Sequence, residues 1–357
     1  MEKYKINILT GGNSSEYYSS VKSYENIIDI LNKKKSKIKI ENVFFIQKDF
    51  VIVHNSKKLP KNEKELHKGG IKIDIFNLPE ELKKTDIYSF SLLMGNHGED
   101  GDIQGLAEFY DLNGSFGRVA SSSCSMNKNM MSRIIKSDFD PSLLKIIPEI
   151  KITKSTKISE INKFIDSLNS EYFVIKPNKL GSSILTYKID RNKIINFIKN
   201  NKSIFKYDDQ FLLQEFILGS DITVGIFENE NKIIILDPID QITKKHFLGY
   251  NEKHDVSSSI KMSYKIEDKL KDKLTNISKT IFENYFENYV RIDYVVNDYG
   301  IYFLEVNTIP GLTKYSPFTL MLDKRNISID SMICGFIEKS LKIKKLDIDF
   351  DKFKMKG

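Results

Sequence analysis

Two short segments in the C-terminal part of the chain carry the most chemistry for their length: Arg291-Ile292-Asp293 and Glu305-Val306-Asn307. Between them lies Asn297-Asp298-Tyr299-Gly300, a turn signal that reads as the tip of a β-hairpin. A turn centred on Tyr299 sets Asp293 opposite Glu305 and Arg291 opposite Asn307. Side chains alternate faces along a strand, so these four share one face while Ile292 and Val306 point into a core. Two carboxylates and an amide oxygen side by side suit a hard divalent cation, Mg2+ or Mn2+, that keeps phosphate oxygens in its shell. The plainer reading is a polar sheet face held by an arginine–carboxylate pair. Like charges directly across a strand pair repel, which argues for a cation between them. The turn-like run Thr308-Ile309-Pro310-Gly311-Leu312-Thr313 would bring backbone N–H groups beside a metal-bound phosphate.

Lys176 ends an apolar strand, Tyr172–Pro177, and leads into Asn178-Lys179-Leu180-Gly181-Ser182-Ser183. A second strand, Ile184–Ile189, is expected at once, so this is a hairpin loop and not a strand-to-helix phosphate loop. Small side chains there would let backbone N–H groups approach an anion; a simple hairpin turn is the alternative.

The elements that must hold these groups follow from hydrophobic spacing. Ile6–Leu9 is a strand ending in Thr10-Gly11-Gly12-Asn13-Ser14-Ser15, and Val21, Tyr24, Ile27, Ile28 and Leu31 recur with helical period after it. Strand, glycine turn, helix opens an α/β unit. Further strands are expected near Val43–Ile46, Phe50–Val53 and Ile87–Met94, the last leading into Gly95-Asn96-His97-Gly98-Glu99-Asp100-Gly101. A helix over Ser125–Ser137 opens a second unit, which closes with the strand Phe211–Ile217. The third contains strands Ile222–Phe227 and Lys232–Leu236, a polar loop over 240–259, a helix over Glu267–Phe286, the carboxylate hairpin and a helix over Ile329–Leu341.

At 357 residues the chain has room for two or three packed domains, and its 40% hydrophobic content is ordinary for a globular fold. No apolar run reaches the length of a membrane span and no signal peptide is evident, so a cytoplasmic setting is expected, with Cys124 and Cys334 as isolated thiols. The net charge of +7 comes from dispersed lysines without interleaved aromatics, so no nucleic-acid partner is expected.

Read together, several segments resemble the D-alanine–D-alanine ligase family of the ATP-grasp superfamily, with its D-alanine–D-lactate and D-alanine–D-serine relatives. They are Gly11-Gly12-Asn13-Ser14-Ser15-Glu16, Gly98-Glu99-Asp100-Gly101 with Gln104-Gly105, Ser125-Met126-Asn127-Lys128, Ile175-Lys176-Pro177 with Gly181-Ser182-Ser183, and Glu305-Val306-Asn307-Thr308-Ile309-Pro310-Gly311. The resemblance implies an α/β (α+β) chain of three domains, over 1–125, 126–220 and 221–357, the first built on a parallel sheet. It implies ATP between the second and third, with Lys128, Lys176 and Lys253 on its phosphates and Ser182 and Ser183 in the loop above them. Gln214 and Glu215 fall at the adenine strand and Asp221 at the ribose position. Asp293, Glu305 and Asn307 map onto magnesium ligands, and Arg291 and Gly311 onto groups that steady a developing oxyanion. Glu16 maps onto the contact to the first amino acid's ammonium group and Ser316 onto the contact to the second substrate's carboxylate. Without the resemblance, Glu16 reads as a first-turn helix residue and Ser316 as a helix N-cap. A homodimer is left open.

Three positions depart from the family pattern. Met94 stands where a histidine opens the Gly98-Glu99-Asp100-Gly101 segment, and Leu185 stands where a glycine follows the serine loop. His254 replaces the tyrosine that closes over the first substrate. The expected reaction is ATP-dependent joining of two D-alanines through an acyl-phosphate for peptidoglycan precursor synthesis. The departures keep D-lactate or D-serine as second substrate, a paralogue using other amino acids, and a catalytically silent nucleotide-binding protein as alternatives.

Overall fold

A computed structural model of the chain describes residues 4–33, 35–229, 232–243 and 260–342. The first sheet contains β1 (Tyr4–Gly11), β2 (Ile38–Ile46), β3 (Phe50–Asn55), β4 (Ile71–Asp74) and β5 (Tyr88–Ser91), in the order β4-β3-β2-β1-β5. β1 runs parallel to both β2 and β5, as expected, whereas β3 and β4 add an antiparallel edge. The helix Tyr17–Leu31 buries Val21, Tyr24, Ile27, Ile28 and Leu31, the residues whose spacing marked it.

Next come β6 (Lys145–Ile146) and β7 (Glu149–Ile152), then β8 (Tyr172–Pro177), β9 (Tyr187–Asp190) and β10 (Phe211–Glu215). β7, β10, β8 and β9 form an antiparallel sheet over a core that includes Phe173, Ile175, Phe211 and Leu213. The strand expected from Ile184 begins only at Tyr187, because Ser182, Ser183 and Leu185 all adopt positive φ and break extended geometry.

The third sheet holds β11 (Ser220–Asn229), β12 (Lys232–Ile235), β13 (Ile239–Ile242), β14 (Lys261–Ser263), β15 (Tyr289–Asn297) and β16 (Gly300–Asn307), with β6 added beside β16. The helix Asp268–Tyr285 packs Leu274, Ile277, Ile281 and Phe282 beneath it. Two further helices, Pro317–Lys324 and Ile329–Lys342, share one apolar core with the helix Tyr17–Leu31. That shared core packs the first sheet's helix against the helices that follow the third sheet.

The helix expected over Ser125–Ser137 is two helices, Val119–Met126 and Lys128–Asp138. Asn127 leaves helical geometry and accepts the Met130 N–H at 3.1 Å, capping the second. That helix contributes Met131 and Ile135 to the core of the third sheet. Among the described residues, no helix is long and apolar enough to cross a membrane.

Candidate active site

The hairpin β15–β16 pairs Arg291 with Asn307 and Asp293 with Glu305, as the sequence implies. The turn is tighter than expected, with Asn297 opposite Gly300. A bulge restores the register: Asp293 pairs with Glu305 and Tyr294 with Phe303, so Leu304 is the extra residue. Asp293 accepts Arg291 Nε at 2.8 Å and Nη2 at 2.7 Å, Thr223 Oγ1 at 2.6 Å and Asn307 Nδ2 at 3.1 Å. Thr223 belongs to β11 and faces Asp293 across the β11–β15 pair. Donors from three adjacent strands therefore fix one buried carboxylate.

Lys128 and Lys176 arrive from different elements and are held together by Asn178, which is fully buried. Asn178 accepts the Asn129 N–H at 3.0 Å, its carbonyl accepts the Lys128 N–H at 3.1 Å, and its amide donates to Asn127 Oδ1 at 2.9 Å. Lys128 Nζ donates to the Leu180 carbonyl at 2.7 Å and stands 3.8 Å from Glu305 Oε2. On β8, Ile175 and Phe173 face the core, so Lys176 faces the opposite side; it is nearly buried, at 6% exposure. Sequence reasoning passed over Asn178. The available signal was a polar residue directly after Lys176-Pro177, where an apolar strand ends.

Glu16 sits at the N-terminal end of its helix but makes no cap hydrogen bond. Its Oε1 accepts Ser182 Oγ at 2.6 Å, joining the first unit to the serine loop. Gly181 approaches the same carboxylate closely: a Cβ there would come within 2.2 Å of Glu16 Oε2 and displace it. Ser14 links further: its hydroxyl donates to the Met94 carbonyl at 2.6 Å and accepts the Glu16 N–H at 3.1 Å. Ser316 occupies the N-cap position of the helix Pro317–Lys324, yet its hydroxyl turns to Thr313 Oγ1 at 2.7 Å instead of capping. Gly311 lies against that hydroxyl.

Gln214 donates to Glu149, its cross-strand partner, and Glu215 accepts from Ser170. Met94 is buried in the apolar core. Its neighbour His97 points outward and pairs with Asp102 at 2.6 Å. Gln104 serves the fold, its amide donating to the Gly98 and Phe116 carbonyls at 2.8 and 2.9 Å. Glu99, to which no role was assigned from sequence, is a buried carboxylate on the cleft wall. Burial, and then the charge of Glu16, pushes it up to about 7.

These groups surround one cleft of about 770 Å³. Glu16, Lys128, Lys176, Ser182, Ser183, Gln214, Glu215, Asp221, Arg291, Asp293, Glu305, Asn307, Gly311 and Ser316 all line it. Lys253 and His254 lie outside the described residues, as does most of the loop expected over 240–259. The cleft thus puts paired carboxylates beside buried cations, with a separate carboxylate, Glu16, across the serine loop. This is the equipment of an enzyme that holds a polyphosphate and a small zwitterion together.

Comparison with known proteins assigns the family. Residues 5–115 match the D-ala D-ala ligase N-terminus and residues 144–338 the D-ala D-ala ligase C-terminus. D-alanine–D-alanine ligase B of Clostridium perfringens is 30% identical over 345 residues, covering 94% of this chain and 98% of its own. The D-alanine–D-alanine ligase of Bacillus anthracis is 27% identical, covering 96% of this chain and 98% of its own. A crystal structure of the Bacillus anthracis D-alanine–D-alanine ligase superposes with a TM-score of 0.71 at 25% identity, covering 95% of this chain and 98% of its own. The Enterococcus faecalis VanG D-Ala:D-Ser ligase shares the fold, with a TM-score of 0.76 at 21% identity over 95% of this chain and all of its own. The chain belongs to the D-alanine–D-alanine ligase family.

Proposed function

We propose that this protein joins two D-alanine molecules into a dipeptide with consumption of ATP, by way of an acyl-phosphate. The observation that carries this reading is the shared cleft: the Asp293–Glu305 pair, Lys128, Lys176, Arg291 and Glu16 all line it. The full-length similarity to D-alanine–D-alanine ligases of Clostridium perfringens and Bacillus anthracis supports it, as does a Bacillus anthracis ligase structure complexed with ATP.

Asp293, Glu305 and Asn307 form a donor set that fits Mg2+ or Mn2+. The fit rests on oxygen donors aligned on one strand face, with Arg291 already holding Asp293 in place. When bound, the metal would neutralise charge on the transferring phosphoryl group. Lys128 and Lys176 contact the phosphates, and Ser182 and Ser183 cover them. Gln214 and Glu215 face adenine and Asp221 the ribose. Lys253 and His254 belong to the same reading as a phosphate contact and a cover over the first substrate.

Glu16 orients the first D-alanine through its ammonium group. The carboxylate oxygen of that D-alanine attacks the γ-phosphorus, the bond to ADP breaks, and an acyl-phosphate of D-alanine remains. The amine of the second D-alanine then attacks the acyl carbon, loses a proton, and expels phosphate. Arg291 and the Gly311 N–H steady the oxyanion of that step, and Ser316 holds the second carboxylate. The product is a peptidoglycan precursor made in the cytoplasm, where Cys124 and Cys334, both free, stay reduced.

The test is product analysis with purified protein, ATP, Mg2+ and a grid of D- and L-amino acids and hydroxy acids. D-alanine alone should yield D-alanyl-D-alanine, ADP and phosphate in equal amounts. ATP consumption at background with every pair would mark a nucleotide-binding protein without ligase activity.

A further inference from the structure

The turn Gly95–Gly101 follows the first sheet, and the turn Thr308–Gly311 follows the third, yet one carboxylate joins them. Glu99 Oε2 accepts the Gly95 N–H at 2.9 Å. Its Oε1 accepts the Ile309 N–H at 2.8 Å and the Thr308 hydroxyl at 3.2 Å. Only 9% of Glu99 is exposed, on the wall of the cleft. All three partners donate, so one side chain accepts from both turns.

The link continues at both ends. Gly95 follows Met94, whose carbonyl accepts the Ser14 hydroxyl that also holds the Glu16 N–H. Ile309 lies between Asn307, which donates to Asp293, and Gly311, which lies against Ser316. A path of hydrogen bonds and short backbone links therefore runs from the Glu16 N–H to the turn assigned to the oxyanion. Glu99 is its crossing point between sheets.

We propose that Glu99 is a positioning residue: it clamps the Thr308–Gly311 turn to the Gly95–Gly101 turn, setting the distance between Glu16 and the Gly311 N–H. Its kinetic consequence rests on the ligase reading above, whereas the clamp itself is read from geometry. Glu99 donates and accepts nothing at the reacting atoms; it acts through the turns it joins.

The experiment compares wild type, Glu99→Gln, Glu99→Asp and Thr308→Val by amide hydrogen exchange without ligands and by phosphate release. Glutamine puts an NH2 group where an acceptor is needed, and aspartate is one methylene too short to reach both turns. Both variants should speed exchange at residues 307–311 by about tenfold or more, with β11 and β15 unchanged. They should lower kcat by roughly 10–100-fold while the KM for ATP stays within about twofold. Thr308→Val keeps the Ile309 bond and should lower kcat by no more than about threefold. Unchanged exchange over 307–311 in both Glu99 variants would overturn the clamp, as would a uniform rise in every sheet. If wild type released no phosphate, the ligase reading would fail, and the exchange result would still decide the clamp.

Discussion

Arg291 grips Asp293 from two positions along the same strand, Nε to Oδ1 at 2.8 Å and Nη2 to Oδ2 at 2.7 Å. Both side chains are largely out of water, at 15% and 10% exposure. Residues this close in a strand share a face, and the guanidinium fork matches the carboxylate's two oxygens. Arg291 thus holds the proposed metal ligand in place and offers positive charge to the same cleft.

Removing one member of that pair leaves the other buried and uncompensated. Arg291→Ala should cost about 3–5 kcal/mol of stability by urea unfolding. Arg291→Lys should cost less, because a charge remains, yet turnover should fall by about 100-fold since an ammonium cannot form both bonds. Equal kcat for Arg291→Lys and wild type would remove Arg291 from the oxyanion role.

Lys176→Ala and Glu305→Ala should each abolish detectable turnover, a loss of at least about 100-fold, with circular dichroism unchanged. Lys176 approaches the cleft from β8 and Glu305 from β16, so the two losses test both walls. Full activity in either variant would count against the proposed site.

Glu99 imposes a pH signature on stability. Burial, followed by the Glu16 charge, raises it from an ordinary 4.5 to about 7. Between those values the folded protein holds a proton that the unfolded chain releases, so this group's contribution falls as pH rises from about 4.5 to about 7. Compared with Glu99→Gln, wild type should lose a few kcal/mol across that window in parallel urea titrations. Matching pH slopes in the two proteins would contradict the assignment.

Leu185 adopts φ +52°, and its side chain packs against the core of the central sheet. Left-handed backbone costs a branched residue about 1–2 kcal/mol, similar to what a partly buried leucine returns. Leu185→Gly should therefore shift Tm by only a few degrees. Leu185→Ala keeps the strain, loses the contact, and should be destabilised by about 1–2 kcal/mol. A large loss in Leu185→Gly with none in Leu185→Ala would contradict this balance.

The hairpin was legible because turn residues and strand period both bear on its register, and the chemistry lay on that register. The bulge at Leu304 was not, since one extra residue leaves no mark in an alternating pattern. The interruption at Asn127 was hidden for a related reason: apolar spacing continued through a polar cap. Helix faces such as Val21 to Leu31 were readable from local period alone. Glu99 and Asn178 were not, because their partners lie in distant segments that only the packed sheets bring near. The close approach of Gly181 to Glu16 was hidden in the same way, since it joins segments far apart in sequence.

The central claim is that a carboxylate oxygen of one amino acid is phosphorylated in this cleft. D-alanine labelled with 18O in its carboxylate, supplied with ATP and Mg2+, tests it directly. Each phosphate released should carry one labelled oxygen, because the acyl carbon–oxygen bond breaks when the amine attacks. Unlabelled phosphate accompanying dipeptide formation would contradict the acyl-phosphate route.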